Sequence, residues 1–155
     1  MGPFNGKENF KRKIEYLIRA NGLCSKVKFV GDCYDMAAAF SIADIVISAS
    51  LDPEPFGRTI IEAQAMGNLV LASNHGGAVE SIVEGKTGRL FEPRNPAALS
   101  DSLKNALSLT EQKRSTISSN AQKHIKEKFS TQLMCMRTLS VYSEILNFRL
   151  IRKDS

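Results

Sequence analysis

Apolar and polar residues follow two periods along this chain, and the two periods alternate. Four short runs rich in apolar residues have the length and the bounding turn residues of buried strands. They cover residues 27–30, 45–48, 69–72 and 89–91. Elsewhere, apolar residues recur at the three- and four-residue spacing of amphipathic helices. This spacing predicts helices over residues 7–20, 34–41, 59–66, 79–83, 96–109, 111–128 and 130–150.

Strands that alternate with helices predict an α/β fold, here a Rossmann-like parallel sheet with flanking helices. Several helix starts carry residues suited to that position. Asp32, Thr110 and Ser130 are placed to accept hydrogen bonds from first-turn N–H groups. Pro96 follows Asn95 at the first position of its helix, where its missing N–H does no harm.

Length and composition bound the class of protein. At 155 residues the chain has room for one domain with a sizeable core, and we expect a single domain over residues 1–155. The hydrophobic fraction of 43% and the charged fraction of 24% are typical of soluble globular proteins. The net charge of +5 suits an anionic ligand or peripheral contact with an acidic membrane surface, but it is too small to indicate nucleic acid binding.

The cysteines and the apolar stretches predict a compartment. Cys24, Cys33 and Cys135 are odd in number and lack the spacing of metal ligands, so we expect reduced thiols and no metal site. We find no apolar signal segment at the start, and the longest apolar stretch, residues 37–49, is too short to span a bilayer. These features favour a cytoplasmic protein, with the inner face of the membrane as a further possibility.

The candidate chemistry lies between the second strand and the helix that follows it. Glu54 lies in a loop rich in Pro, Asp and Gly, and Glu62 lies one turn into the helix, which Gly67 is predicted to end. Between the two acids, residues 56–59 place N–H groups at the positive end of the helix dipole, where a phosphate binds well. Carboxylates beside such a site can accept hydrogen bonds from sugar hydroxyls. The alternative is an ordinary strand–loop–helix, with Glu62 as a solvated first-turn acid.

Three motifs in this order resemble one enzyme family. Glu54 and Glu62, with Phe56 and Gly57 between them, resemble the Glu-x7-Glu motif of retaining GT-B glycosyltransferases, in particular glycosyltransferase family 4, the glycosyl transferases group 1. The downstream segment, residues 69–80, is similar to the Gly-Gly-x-x-Glu block of the same family. Upstream, residues 27–31 resemble the strand and glycine that open this part of the donor domain. One departure is Pro55, where the family often has Gly; proline stiffens the loop and removes a donor.

The resemblance implies roles for the motif residues. Glu54 would contact the transferred sugar as the catalytic candidate and Glu62 would hold the ribose hydroxyls. The other implied contacts are the sugar for Phe56 and Gly57, the diphosphate for Arg58 and Thr59, and the wall or loops around the base for Val30, Gly31, Gly76 and Gly77. Each has a plainer reading: a surface arginine for Arg58, core packing for Phe56, and simple turns for the glycine pairs.

The resemblance also implies what is missing. The four predicted strands correspond to the third to sixth strands of a GT-B donor domain, so the first two strands and the acceptor-binding domain would be absent. Without them, strand 45–48 would expose a hydrophobic edge that can pair with residues 27–30 or with a second copy. The chain would be the C-terminal, nucleotide-sugar-binding half of an enzyme, inactive alone and without a cofactor, the NDP-sugar being its substrate.

The implied reaction is transfer of a hexosyl group, with retention, from an NDP-sugar to a glycan or lipid-linked acceptor, as in cell-surface glycan and lipopolysaccharide assembly. Three alternatives stay open. The first is a non-catalytic fragment that binds sugar nucleotides, the second is a GT-B-fold epimerase or phosphorylase, and the third is a purely structural or oligomerising fragment. We do not see the additional His or acidic residues that an epimerase site usually needs.

Overall fold

The computed structural model describes residues 8–153, which form two compact units, one up to Ala39 and one from Phe40 onward. In chain order, the described elements are α1 (Glu8–Ala20), α2 (Met36–Ser41), β1 (Ile45–Ser48), α3 (Arg58–Ala65), β2 (Leu69–Ser73), α4 (Ala78–Ser81), β3 (Arg89–Phe91), α5 (Pro96–Leu107), α6 (Glu111–Lys128) and α7 (Thr131–Lys153).

The first unit corrects two predictions. Residues 27–30 do not form a strand, and Val30 is 63% exposed. A short apolar run becomes a strand only when a neighbouring strand accepts its hydrogen bonds, and periodicity alone cannot supply that neighbour. The predicted cap Asp32 is also wrong: the Asp35 carboxylate accepts a hydrogen bond from the Ala38 amide at 2.9 Å.

The second unit is built on a parallel sheet. Its strand order is β1-β2-β3, and Val46 lies opposite Val70 while Leu71 lies opposite Arg89. Every residue of the central strand β2 is buried. Strand β1 forms one edge, where Ile47 is 42% exposed. The predicted α/β fold with a Rossmann-like parallel sheet and flanking helices is confirmed.

The core packs helices α5 and α6 against the sheet. Leu69 and Leu71 of β2 meet Phe91 of β3, Ala106 of α5 and Ile117 of α6. Burying aliphatic and aromatic side chains of this kind stabilises a domain by about 1.5–3 kcal/mol per side chain. The core therefore fixes the carboxyl ends of the three parallel strands along one edge of the sheet.

Helix α3 is held at its carboxyl end. Gly67, with φ of +85°, donates to the Gln64 carbonyl, and the Asn68 amide donates to the Ala63 carbonyl, both at 3.0 Å. This pair of bonds is the Schellman arrangement that ends a helix at a left-handed glycine, so Gly67 acts as predicted. Ser118 of α6 then donates to the Gly67 carbonyl at 2.7 Å.

The later helices begin at capping side chains, and two of these caps, Thr110 and Ser130, were predicted. The side chains of Asn95 and Thr110 accept hydrogen bonds from the amides of Ala98 and Lys113. Ser130 Oγ accepts a hydrogen bond from the Leu133 amide at 3.3 Å. Helix α7 carries exposed apolar side chains. Within residues 8–153, none of the helices combines the length and apolarity needed to cross a membrane.

Candidate functional site

A cleft opens at the carboxyl ends of β1 and β2, beside the start of α3. Its empty volume, including open solvent, is about 210 Å³. In open parallel sheets, ligands bind outside the carboxyl ends of the strands, which is where this cleft lies. Its lining combines hydroxyl, carboxylate and imidazole groups with small apolar side chains: Ser48, Ser50, Glu54, Gly57, Ile60, Ala72, Ser73, His75 and Ala78.

Hydrogen bonds to both its main chain and its side chain hold Glu54 at the cleft. The Gly77 amide donates to the Glu54 carbonyl at 2.8 Å. The Ser50 hydroxyl donates to Glu54 Oε1. His75 Nε2 lies 3.0 Å from the Ser50 carbonyl oxygen. The loop after β1 and the loop after β2 therefore form one hydrogen-bonded unit around this carboxylate.

Two glycines allow these loops to touch. A Cβ on Gly76 would lie 2.4 Å from the Glu54 carbonyl oxygen, and Gly76 also has φ of +56°. A Cβ on Gly77 would lie 2.5 Å from the carbonyl carbon and oxygen of Phe56. Both positions exclude side chains because backbone atoms occupy the space. The close approach that these glycines permit is to the Glu54 loop.

The start of α3 faces the cleft without a side-chain cap. Gly57 occupies the cap position with φ of +68° and ψ of +50°, and it supplies no side-chain acceptor for the first-turn N–H groups. Those N–H groups and the positive end of the helix dipole favour an anion. Gly57 also lines the cleft, so the helix start and Glu54 border the same space.

Arg58 and Glu62 form an ion pair on the surface of α3. Arg58 Nη2 lies 3.1 Å from Glu62 Oε1, with the side chains 82% and 41% exposed. This is an ordinary pairing of residues four apart on a helix, and such exposed pairs contribute about 0.5 kcal/mol or less to stability. The pair leaves both charged groups accessible to a ligand at the helix start.

Phe56 packs on an aromatic side chain at the end of α6. Its ring centroid lies 6.3 Å from that of Phe129, with the ring planes at 64°. Phe129 in turn lies 5.8 Å from the ring of His124, centroid to centroid. Phe56 nevertheless remains 53% exposed, so it combines packing against α6 with an accessible ring face.

Only some of the predicted site residues line the cleft. Glu54 and Gly57 line it, whereas Phe56, Arg58, Thr59 and Glu62 do not. Gly76 and Gly77 pack against the backbone of the Glu54 loop, and the Gly77 amide donates a hydrogen bond to it. Val30 and Gly31 lie in the first unit, where Gly31 has φ of +69°.

Sequence reasoning missed the small polar residues of the lining. Ser48, Ser50 and Ser73 stand at or just after the carboxyl ends of β1 and β2, and that position was the available signal. A second pairing was also missed: Arg94, which has φ of +60°, donates from Nη2 to Asp52 Oδ1 at 3.3 Å. That pair joins the loop after β3 to the Glu54 loop.

In the part of the chain that the structure describes, no cluster of three or more His, Cys, Asp or Glu residues could hold a metal ion. The groups that border the cleft are a carboxylate, hydroxyls, an imidazole and helix N–H groups. This set can accept bonds from hydroxyls and donate bonds to an anion.

Comparison with known proteins gives this geometry a context. The family model for glycosyl transferases group 1 matches residues 4–124. Among curated relatives, the D-inositol 3-phosphate glycosyltransferase of Paenarthrobacter aurescens is 30% identical over 153 residues, which make up 97% of this chain and 36% of the relative.

Solved structures also match this chain. A glycosyltransferase from Rickettsia africae matches with a TM-score of 0.89 and 40% identity, covering 94% of this chain and 38% of that chain. HepE from Anabaena, solved in complex with UDP and glucose, matches with a TM-score of 0.84 and 31% identity, covering 90% and 38%. The chain thus spans little more than a third of the length of each of these three proteins.

Proposed function

This chain belongs to the glycosyl transferases group 1 family, and from that premise we propose that it is the nucleotide-sugar-binding half of a glycosyltransferase. The reaction would be transfer of a hexosyl group from an NDP-sugar to a glycan or lipid-linked acceptor. We further propose family 4 membership, retention of the anomeric configuration and a place in cell-surface glycan or lipopolysaccharide assembly. The resemblance of the Glu54 to Glu62 segment supports these finer points.

One observation carries the proposal. The Glu54 carboxylate and the uncapped start of α3 border the same cleft at the carboxyl edge of a parallel sheet. A sugar diphosphate presents hydroxyl donors at one end and a strongly anionic group in the middle. The cleft offers an acceptor for the hydroxyls and N–H donors with a positive dipole for the anion. Its two features match the two parts of such a donor.

The residues would act by binding and by electrostatics. The N–H groups of Arg58 and Thr59 would contact the diphosphate, and the charge that develops on the leaving nucleotide would be stabilised there. The Arg58 guanidinium, which is accessible, would add a charge-assisted bond. Glu54, with Phe56 and Gly57, would hold the sugar, and Glu62 would accept from the ribose hydroxyls. The proposal needs neither a metal ion nor a resident cofactor.

The chain would catalyse glycosyl transfer only together with a separate acceptor-binding half. The relatives extend well beyond the matched region, and the acceptor would bind to a part that this chain does not contain. We therefore expect no transfer by the chain alone and transfer after addition of a separately expressed acceptor-binding half. A measurable transfer rate from the purified chain alone would contradict this part of the proposal.

Calorimetric titration tests the binding function. The chain is titrated with UDP, GDP, UDP-glucose and GDP-mannose. We expect one nucleotide and its sugar ester to bind, and Glu62→Ala to weaken both by roughly tenfold, because it removes a charged acceptor of hydrogen bonds. Glu127→Ala, which removes an exposed glutamate of α6, is the matched control and should leave binding unchanged.

Two outcomes would count against the proposal. If a folded chain, checked by circular dichroism, binds none of the four probes, the function is wrong. If Glu62→Ala and Glu127→Ala weaken binding equally, the ribose role of Glu62 is wrong. Binding without transfer, even after a competent acceptor half has been added, would favour the non-catalytic alternative.

A further inference from the structure

Two residues outside the predicted constellation hold the loop that carries Glu54. Ser50 donates its hydroxyl hydrogen to Glu54 Oε1, and His75 contacts the Ser50 carbonyl oxygen from the neighbouring loop. Resting on the function proposed above, we propose that Ser50 and His75 are positioning residues that orient the Glu54 carboxylate toward the donor sugar.

An exposed glutamate side chain on a loop can adopt several conformations. Glu54 is on the surface of a loop, and its side chain has several rotatable bonds. A carboxylate that must meet sugar hydroxyls in one geometry gains from a donor that fixes one of its oxygens, because less rotational freedom is lost on binding. The Ser50 hydroxyl fixes Oε1 and leaves Oε2 for the ligand.

His75 holds the main chain of Ser50. His75 Nε2 lies 3.0 Å from the Ser50 carbonyl oxygen, and a carbonyl can only accept. Nε2 must therefore carry the hydrogen, which makes the neutral ring the Nε2–H tautomer. Nδ1 is buried and has no hydrogen-bond partner within the described residues. Among the described residues, the ring therefore makes one hydrogen bond, and that bond is to the Glu54 loop.

These groups converge on one cleft. Ser50, Glu54 and His75 all line the same cleft. From the loop that carries His75, the Gly77 amide also holds the Glu54 carbonyl at 2.8 Å. The loop after β2 therefore fixes the main chain of Glu54 through Gly77 and its side chain through His75 and Ser50. Removing Ser50 or His75 should loosen the carboxylate without moving the start of α3.

Variants of Ser50 and His75 should therefore affect the affinity for a sugar nucleotide more than the affinity for the nucleotide alone. Nucleotide binding would depend on the start of α3 and on Glu62, and within the described residues neither Ser50 nor His75 hydrogen-bonds to these groups. Sugar binding would depend on Glu54. We expect Ser50→Ala and His75→Phe to weaken UDP-glucose binding by roughly tenfold while UDP binding changes less than twofold. If the chain binds GDP instead, GDP-mannose and GDP are the corresponding pair.

Conservative variants sharpen the test. Ser50→Thr keeps the hydroxyl and should restore affinity for the sugar nucleotide. His75→Gln places an amide donor near the position of Nε2 and should restore it, whereas His75→Asn places its amide near Nδ1 and should not. Ser115→Ala, an exposed serine of α6, controls for the loss of a hydroxyl in general.

The inference is overturned if Ser50→Ala and His75→Phe leave UDP-glucose affinity unchanged. It is also overturned if they weaken UDP and UDP-glucose equally, since that indicates a purely structural role. A ligand-free readout stands beside these: ¹⁵N spectra of the His75 ring should show the Nε2–H tautomer, and the Nδ1–H form would exclude the contact. A chain that binds no probe but shows the expected tautomer would refute the proposed function and not the hydrogen-bonded geometry.

Discussion

The Gly77 amide donates a hydrogen bond to the carbonyl oxygen of Glu54 at 2.8 Å. The two residues are 23 positions apart, and each belongs to a motif that stands on a different strand end. Their contact joins the loop after β1 to the loop after β2. The position of Glu54 in the cleft therefore depends on a glycine that the chain reaches only after completing α3 and β2.

Replacing Gly77 should affect stability and binding together. In Gly77→Ala, the new methyl group would meet the Phe56 carbonyl carbon and oxygen at 2.5 Å, and the backbone must move. We expect a loss of about 1–3 kcal/mol in the free energy of unfolding, as for other overpacked sites. Binding of the nucleotide sugar should also weaken, because the Glu54 loop shifts. Urea denaturation and calorimetry measure the two effects.

Gly85→Ala is the matched control for that variant. Gly85 has φ of +70°, but a Cβ at this position would meet no other atom within 4 Å. Alanine there therefore meets only backbone strain, which costs about 1–2 kcal/mol. A similar loss of stability with unchanged binding is expected. Equal losses of binding in both variants would show that Gly77 acts through global stability alone.

The ion pair between Arg58 and Glu62 should matter for binding more than for folding. The pair is exposed, so Arg58→Ala should change the free energy of unfolding by about 0.5 kcal/mol or less. If Arg58 contacts the diphosphate, affinity for the nucleotide that binds should fall by roughly three- to tenfold. The loss should shrink as salt is added, because screening already weakens the contact in the original chain.

The control for Arg58 is a second exposed helix pair. Lys104 Nζ lies 3.4 Å from Asp101 Oδ1 on α5, and both side chains are largely exposed. Lys104→Ala should have the same small effect on stability and no effect on nucleotide affinity. Comparable loss of affinity in both variants would assign the effect to net charge.

The edge contact between Phe56 and Phe129 should appear as a coupling energy. The rings meet at 64°, and edge-to-face pairs contribute about 0.5–1.5 kcal/mol beyond buried area. A double-mutant cycle of Phe56→Leu and Phe129→Leu, measured by urea denaturation, should return a coupling in this range. Phe56→Leu combined with Phe91→Leu should be additive, and a coupling near zero in the first cycle would show that the contact carries no stability.

Asn68 should be essential to the start of β2. Its buried side-chain amide donates to the carbonyl oxygens of Phe40 and Ala43 at 2.9 and 2.8 Å. Asn68→Asp replaces this donor with a charged acceptor facing two carbonyl oxygens, so we expect a loss of about 3 kcal/mol or more. Asn120→Asp, on the exposed face of α6, is the control and should be within about 0.5 kcal/mol of the original chain.

The apolar edge of β1 predicts self-association. Strand β1 pairs with β2 on one side and carries the partly exposed Ile47. An exposed strand edge can pair with another chain, and a charged side chain on the edge opposes such pairing. Sedimentation at increasing concentration should show association that Ile47→Lys reduces, whereas Ile42→Lys, outside the strand and already exposed, should not. A chain that stays monomeric at all concentrations would contradict this prediction.

Local sequence patterns were sufficient for most of the second unit. The three strands of the sheet and the ends of α3 lie within a residue of their predicted positions, because apolar runs, a glycine stop and the caps act over short distances. The same reasoning failed at residues 27–30. There, strand formation depends on a partner strand that no local pattern supplies.

The sequence by itself determined the α/β class, the order of the elements and the segment that carries Glu54 and Glu62, since periodicity and spacing are local properties. Only the tertiary structure decided which of these residues share a cleft. It brought His75 to the Ser50 carbonyl oxygen and the Gly77 amide to the Glu54 carbonyl oxygen. Contacts between residues 25 positions apart arise from parallel strands whose carboxyl ends meet at one edge, and that register is a property of the folded sheet.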